Sequence, residues 1–242
     1  MVIDFNVHNL ADNDSLYRYL SFEQFLSLCE RSEHIFTQPA AWDDSCENAG
    51  AKMYDLIYKT FGSYSDDSAS FYNLFVSCWT TQEESDAMWR IYSPHKNGVK
   101  IKIKLINFRQ LSGTKELFAR KVRYVKFNDL PKVYTDERKN NPLSFPEITL
   151  KRDLFSHEHE VRLMCSYSAV DKDRIIGNSS NTEDQIPCDR IGLTMDMKEY
   201  IEEVVLDPRI SAWEEDALTT YCKRNLPKSK VIKSNIYNDF FG

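Results

Sequence analysis

Asn97-Gly98-Val99-Lys100-Ile101-Lys102-Ile103-Lys104-Leu105 is the stretch that decides the fold class. An Asn-Gly turn signal opens a run in which Val99, Ile101, Ile103 and Leu105 alternate with three lysines. Side chains on a strand point alternately to opposite faces, so the apolar set faces a core and the lysines face outward. The period of two excludes a helix here. Just upstream, Thr81 with Glu84 has capping-box spacing and opens a helix carrying Ala87, Met88, Ile91 and Tyr92 on one face. Before it, Leu74-Phe75-Val76-Ser77-Cys78-Trp79 is a continuous apolar run of strand length, as a central strand requires.

The same mixture continues to both ends. Leu16 to Leu20 reads as a short strand, and Ser21 with Gln24 caps a helix through Phe22, Phe25, Leu26 and Cys29. Residues 37–50 read as a loop, 51–61 as a helix and 62–70 as a polar loop. Downstream, 122–127 reads as a strand and 128–146 as a long loop with Pro131, Pro142 and Pro146. Ser144 with Glu147 caps a helix to about Phe155, and a strand follows over Glu158 to Tyr167. After a polar loop at 168–188 come a strand from Arg190 to Met195 and a short helix capped by Asp196. Val204 to Leu206, a long helix from Ser211 and Val231 to Lys233 complete the chain. Strands and helices interleave irregularly. The expectation is one α+β domain over residues 1–242, with a split or mixed β-sheet core flanked by helices.

Composition narrows the functional classes. The 242 residues are 42% hydrophobic, enough to bury a full core. No apolar run approaches the roughly 20 residues of a membrane span. Met1-Val2-Ile3-Asp4-Phe5 lacks the basic start and apolar stretch of a signal peptide, so the expected location is the cytoplasm. The six cysteines form no C-x-x-C pair, and Cys29, Cys78 and Cys165 read as small buried hydrophobes. A net charge of -6 argues against a large passive nucleic-acid surface. Neither the glycine-rich dinucleotide fingerprint nor the P-loop is present, so any nucleotide must be held by side chains on another kind of fold.

The segment richest in chemistry is His157-Glu158-His159-Glu160-Val161-Arg162-Leu163. On a strand, Glu158, Glu160, Arg162 and Met164 share one face, and His159, Val161, Leu163 and Cys165 share the other. Two carboxylates so close raise one another's pKa, and Arg162 offsets this. The plain alternative is a solvated strand face with a weak surface ion pair. Arg18 sits between a strand and a capped helix, a natural place for an anion, and its planar fork suits a pyrophosphate. Ser77 and Thr80 can position a ribose, while Trp79, Trp89 and Tyr92 can stack a ring or simply fill a core. The lysine stripe reads as a solvated face, or as a phosphate track for a polyanionic acceptor. His157 and His159 lack further ligands, so no metal site is expected.

Taken together, L-Y-R-Y-L-S-F-E-x-F at 16–25, S-C-W-T at 77–80, M-W-R-I-Y at 88–92, N-G-V at 97–99 and H-E-H-E-V-R-L at 157–163 resemble a bacterial family known as domain of unknown function twenty-nine seventy-one. Asp43-Asp44-Ser45-Cys46-Glu47 resembles that family's D-P-x-E loop without its proline. The resemblance runs from Leu16 to about Leu218. The order of these motifs in turn resembles the ADP-ribosyltransferase superfamily, with Arg18, Ser77 or Thr80, and Glu160 at its three signature places and Glu158 opening the E-x-E pair. The S-C-W-T motif departs from the superfamily's S-T-S. This resemblance implies NAD as co-substrate, lying across a split-sheet cleft. Arg18 with Tyr17 would bind its pyrophosphate or ribose, and Ser77 or Thr80 its nicotinamide ribose. Trp79, Trp89 or Tyr92 would pack the nicotinamide. Glu160, with Arg162 beside it, would stabilise the oxocarbenium-like state, and Glu158 would serve as base. It further implies a toxin or phage-defence effector that modifies RNA, DNA or protein, with an antitoxin as partner. The competing expectations are an NAD glycohydrolase, a non-catalytic binding or regulatory protein, and a metal-dependent nuclease.

Overall fold

A computed structural model of the chain describes residues 2–4, 10–39, 74–141, 145–176 and 189–238. The expected helix at 51–61, the loops at 40–50 and 62–70, the D-D-S-C-E segment, Ser144 and most of the 168–188 loop lie outside the described residues. In chain order the strands are β1 (Val2–Asp4), β2 (Ser15–Leu20), β3 (Glu33–Thr37), β4 (Leu74–Thr80), β5 (Val99–Lys104), β6 (Glu116–Lys121), β7 (Arg123–Val125), β8 (Leu150–Arg152), β9 (Glu160–Ser166), β10 (Ile175–Ile176), β11 (Arg190–Thr194), β12 (Glu203–Leu206) and β13 (Lys230–Lys233). The helices are α1 (Phe22–Arg31), α2 (Asp86–Tyr92), α3 (Leu130–Asn140), the single turn α4 (Pro146–Thr149) and α5 (Ala212–Asn225). The class is α+β. Two compact units divide the chain: one of Met1–Ala11, Ile35–Cys78 and Ser112–Leu193, the other of Asp12–His34, Trp79–Leu111 and Thr194–Gly242.

The second unit is built on the alternating run. β5 pairs antiparallel with β2, where Arg18 stands opposite Ile101, and with β12, which pairs parallel with β13. Val99, Ile101, Ile103 and Leu105 are fully buried, as the alternation requires. Burial of each such side chain contributes about 1.5–3 kcal/mol. The opposite face corrects the reading of a solvated lysine stripe. Lys100 is also buried, its ammonium donating to the Glu83 carbonyl at 2.5 Å and lying 5.3 Å from the centre of the Tyr17 ring. Burial, the largest influence, pushes the Lys100 pKa down against the pull of Glu84, Glu203 and Glu83.

Ser21 caps α1 as expected, with reciprocal bonds of 3.2 and 3.0 Å to Gln24. The cap of α2 is Ser85, not Thr81, and the buried residues of this helix are Met88 and Trp89. Ile91 and Tyr92 face solvent. Glu84 does not close a capping box and instead accepts the Trp89 indole N–H at 2.8 Å. Gly98 is required by close approach. A Cβ there would lie 2.7 Å from the Leu20 carbonyl oxygen and 2.8 Å from Ser93 Oγ.

In the first unit β6 pairs parallel with β1 and antiparallel with β9. β9 neighbours β4, β4 neighbours β3, and β3 continues through β11 to β10. Arg120 ties β1 in place: fully buried, it bonds the Asp4 carboxylate at 2.9 Å and carbonyl at 3.0 Å, flanked by the Phe118 and Phe145 rings. Leu74, Val76, Ile148 and Met164 form a core cluster.

Two sequence readings fail here, and one strand lies where no element was expected. The expected long loop at 128–146 contains α3, because Pro131 sits in the first turn, where its missing N–H removes no helical bond. The expected helix from Ser144 to Phe155 is instead α4, then β8, then a 3₁₀ turn over Asp153–Glu158. β6 is a strand in a stretch without strong alternation, where the sequence carries no strand signal of its own. Among the described residues no helix is long and apolar enough to cross a membrane.

Candidate functional site

The acidic segment of the first unit supplies a dense cluster of buried charges. β9 begins at Glu160, immediately after His159, whose backbone is left-handed with φ of 44°. Left-handed backbone is strained for a residue with a Cβ and marks a sharp change of direction. Glu158 therefore ends the preceding 3₁₀ turn and is not on the strand, which overturns its expected place on the same strand face as Glu160. The two carboxylates meet by another route. Lys151, at the centre of β8, donates to Glu158 Oε2 at 2.6 Å and to Glu160 Oε2 at 3.4 Å. Arg162 forks onto Glu160, with Nε to Oε1 at 2.8 Å and Nη2 to Oε2 at 3.0 Å, while its Nη1 donates to the Ile148 carbonyl. The Glu160 backbone N–H donates to Tyr124 Oη at 2.8 Å.

All four charged residues are buried, Glu160 at 6% exposure and Lys151 at 7%. The reading of a solvated face with a weak ion pair is thus replaced by a buried network in which two carboxylates meet two cations. Burial pushes the Glu160 carboxyl up. The charge and hydrogen bonds of Arg162, then Lys151 and the Cys78 thiol, outweigh that push and hold it down to about 2. Glu160 is therefore ionised at every physiological pH. Its carboxylate accepts from Arg162 twice, from Lys151 and from Cys78, which occupies the roughly four acceptor positions available to it. Of its bonds to the two cations, the one from Lys151 is the longest.

The second unit holds the Arg18 cation in an aromatic setting. Arg18, half-buried on β2, approaches His34 Nε2 at 3.4 Å and lies 5.7 Å from the centre of the Trp79 ring. His34 is fully buried between Trp79 and Phe108, with ring centres at 5.6 and 5.9 Å. Burial and then the Arg18 charge push the His34 pKa well down, so its ring is neutral. The other expected binding residues are placed variously. Thr80 is buried and its hydroxyl accepts the Gln82 N–H at 3.0 Å, serving a turn. Tyr17 is buried beneath Lys100. Trp89 is fully buried edge-on to Tyr19 at 4.8 Å, so it is a core residue, while Tyr92 is exposed and stacks on Tyr19. Ser77 is buried on β4 in the first unit. Among the described residues no group of three or more His, Cys, Asp or Glu is arranged to hold a metal.

Sequence reasoning does not single out Lys151, Tyr124 or His34. Lys151 sits in Leu150-Lys151-Arg152, which has no periodic or capping signature, and its role arises only through strand placement.

The family model described as Protein of unknown function (DUF2971) matches residues 88–163. Over this stretch the chain is similar to that family. The match takes in M-W-R-I-Y, N-G-V and the whole of H-E-H-E-V-R-L, and therefore Lys151, Glu158, Glu160 and Arg162. Arg18, Ser77 and Thr80 lie outside it. No curated protein and no solved structure matches the chain.

Proposed function

We propose that the chain is an ADP-ribosyltransferase that takes NAD as co-substrate, with Glu160 as its catalytic carboxylate and an ADP-ribosyltransferase-like fold. The observation that carries this reading is the convergence of the E-x-E carboxylates on one buried ammonium, Lys151, at 2.6 and 3.4 Å. A buried carboxylate with a strongly perturbed pKa, as Glu160 has, is a frequent feature of functional sites. In the proposed reaction the bond between C1′ of the ribose and the nicotinamide nitrogen breaks, and its electron pair leaves with nicotinamide. Glu160, ionised and rigidly held by Arg162, stabilises the positive charge that develops on the ribose. A lone pair of the acceptor then bonds C1′, and the acceptor's proton passes to Glu158. To receive a ribose hydroxyl Glu160 must release one donor, and the 3.4 Å contact to Lys151 is the weakest; Lys151 then stays with Glu158. Arg18, beside Trp79 and a neutral His34, is proposed as the anion-binding cation of the second unit. The macromolecular acceptor, whether RNA, DNA or protein, and a role as a cytoplasmic toxin or phage-defence effector with an antitoxin partner belong to the same proposal.

One observation favours a second reading, a non-catalytic protein. Both carboxylate oxygens of Glu160 already accept from Arg162, with Lys151 and the Cys78 thiol as further donors, as in a purely structural ion network. NAD labelled on its adenylate, incubated with the protein and with cell RNA, DNA and protein as separate acceptors, distinguishes the two. Transfer of label to an acceptor supports the enzyme, and Glu160 as its catalytic carboxylate requires that transfer to fall at least about 100-fold in Glu160→Gln. Free ADP-ribose without labelled acceptor indicates an NAD glycohydrolase. No nicotinamide release with any acceptor leaves the structural reading standing alone.

A further inference from the structure

A groove in the second unit shares no lining residue with the acidic cluster or with the surroundings of Arg18. It has a volume of about 380 Å³ and runs between α1 and α5. Phe22, Leu26 and Glu30 line it from α1, and Trp213, Ala217 and Tyr221 from α5. On both helices the residues recur at i, i+4 and i+8, the spacing that keeps side chains along one side of a helix. Its volume falls in the range of small-molecule sites, which are largely apolar with a few polar groups that fix orientation.

The charged groups here are of one sign. Glu30 and Glu214 line the groove, and among the described residues no Lys or Arg does. Both carboxylates are oriented by hydroxyls: Tyr221 Oη donates to Glu30 Oε1 and Ser211 Oγ to Glu214 Oε2, each at 2.5 Å. Lys198 is a loose neighbour of Glu30 at 3.8 Å. Trp213 is 74% exposed, an aromatic face that solvent alone does not explain and that attracts cations as well as apolar groups.

We propose that this groove binds a small amphipathic cation, an aliphatic or aromatic body carrying a protonated amine. The body lies between Leu26 and Ala217 with its far end against Trp213, and the ammonium bonds the carboxylate of Glu30 beside Tyr221, while Glu214 adds negative charge at the Trp213 end. An anionic ligand of the same shape is rejected by those carboxylates.

Octylammonium, octanol and octanoate share one tail and differ in head group. Titration of each into the full chain is followed by calorimetry and by the indole N–H resonance of Trp213. Octylammonium binds saturably, shifts that resonance, and binds at least about tenfold tighter than octanoate, the ratio expected of one charge-assisted hydrogen bond. Ala217 is exposed, so Ala217→Trp fills the groove without disturbing the core and abolishes binding of all three, with circular dichroism confirming the fold. The Glu30→Gln, Glu214→Gln double variant brings octylammonium down to the affinity of octanol. Equal affinities for amine and carboxylate, binding that survives Ala217→Trp, or no saturable binding overturns the proposal. An amphipathic Leu/Lys peptide is the final arm. If it binds where octylammonium does not, the groove belongs to a protein partner and the small-cation proposal is wrong.

Discussion

Arg162→Met tests whether buried charge holds the acidic cluster together. The substitution removes both bonds to Glu160 and the bond to the Ile148 carbonyl, and leaves an unbranched side chain in their place. Glu160 then keeps only Lys151, at 3.4 Å and shared with Glu158, and the Cys78 thiol. Two routes give the size of the loss. A carboxyl held at about 2 contributes about 3 kcal/mol at neutral pH relative to one at its ordinary value. Removing one partner of a buried ion pair costs about 3–5 kcal/mol. The pH dependence has a definite sign. Because folding depresses the Glu160 pKa, its contribution is complete above the ordinary carboxyl range and disappears as pH falls toward about 2. In the variant that contribution is absent at the outset, and Glu160 takes up a proton more readily. The two stabilities therefore differ by about 3–5 kcal/mol at pH 7 and converge through the acid range. Urea unfolding at stepped pH values measures this. A difference under about 1 kcal/mol at pH 7, or curves that stay parallel down to about pH 3, would refute the account, since such a value belongs to an exposed pair.

Lys151→Met leaves Glu158 and Glu160 facing one another without their shared ammonium and should lower stability by about 3 kcal/mol at pH 7, less in acid, as denaturant midpoints would reveal. Adding Glu158→Gln to it should recover part of the loss. Trp89→Ala empties a fully buried site and deprives Glu84 of the indole N–H, so thermal unfolding should register a loss of about 3–5 kcal/mol. Gly98→Ala forces a methyl against the Leu20 carbonyl and Ser93, with an expected loss of about 1–3 kcal/mol in the same assay.

Some of the fold is legible in the residues and some is not, for identifiable reasons. β5 and α1 carry their own instructions: a strict period of two, and a Ser21–Gln24 box that forms both bonds. Local patterns of that kind need no partner to be read. α3 is hidden by three prolines that suggest a loop, although a proline in the first helical turn starts a helix as readily as it prevents one. Lys100 looks solvated because alternation identifies the second face of a strand but not what covers it. Here Glu83 and the ring of Tyr17 cover it. The acidic pair is legible in composition but not in geometry. The left-handed turn at His159 removes Glu158 from the strand, and Lys151, nine positions before Glu160, reunites the carboxylates.

That reunion is why Glu160→Gln alone cannot distinguish a catalytic carboxylate from a structural one. The amide cannot neutralise Arg162 and Lys151, so the single variant leaves surplus buried positive charge and loses stability under either reading. The double variant Glu160→Gln, Arg162→Met separates the two. It retains the Lys151–Glu158 ion pair at 2.6 Å and replaces the forked ion pair by two uncharged side chains. Such replacement of both partners is close to neutral for stability, and the coupling energy of the cycle should exceed about 1 kcal/mol because the residues share two hydrogen bonds. If Glu160 only holds the fold, stability and every other property return together in the double variant. If it stabilises charge on the ribose of NAD, stability returns while label transfer stays at the level of the single variant. A double variant that regains both would remove Glu160 from the reaction, whatever the single substitution had suggested.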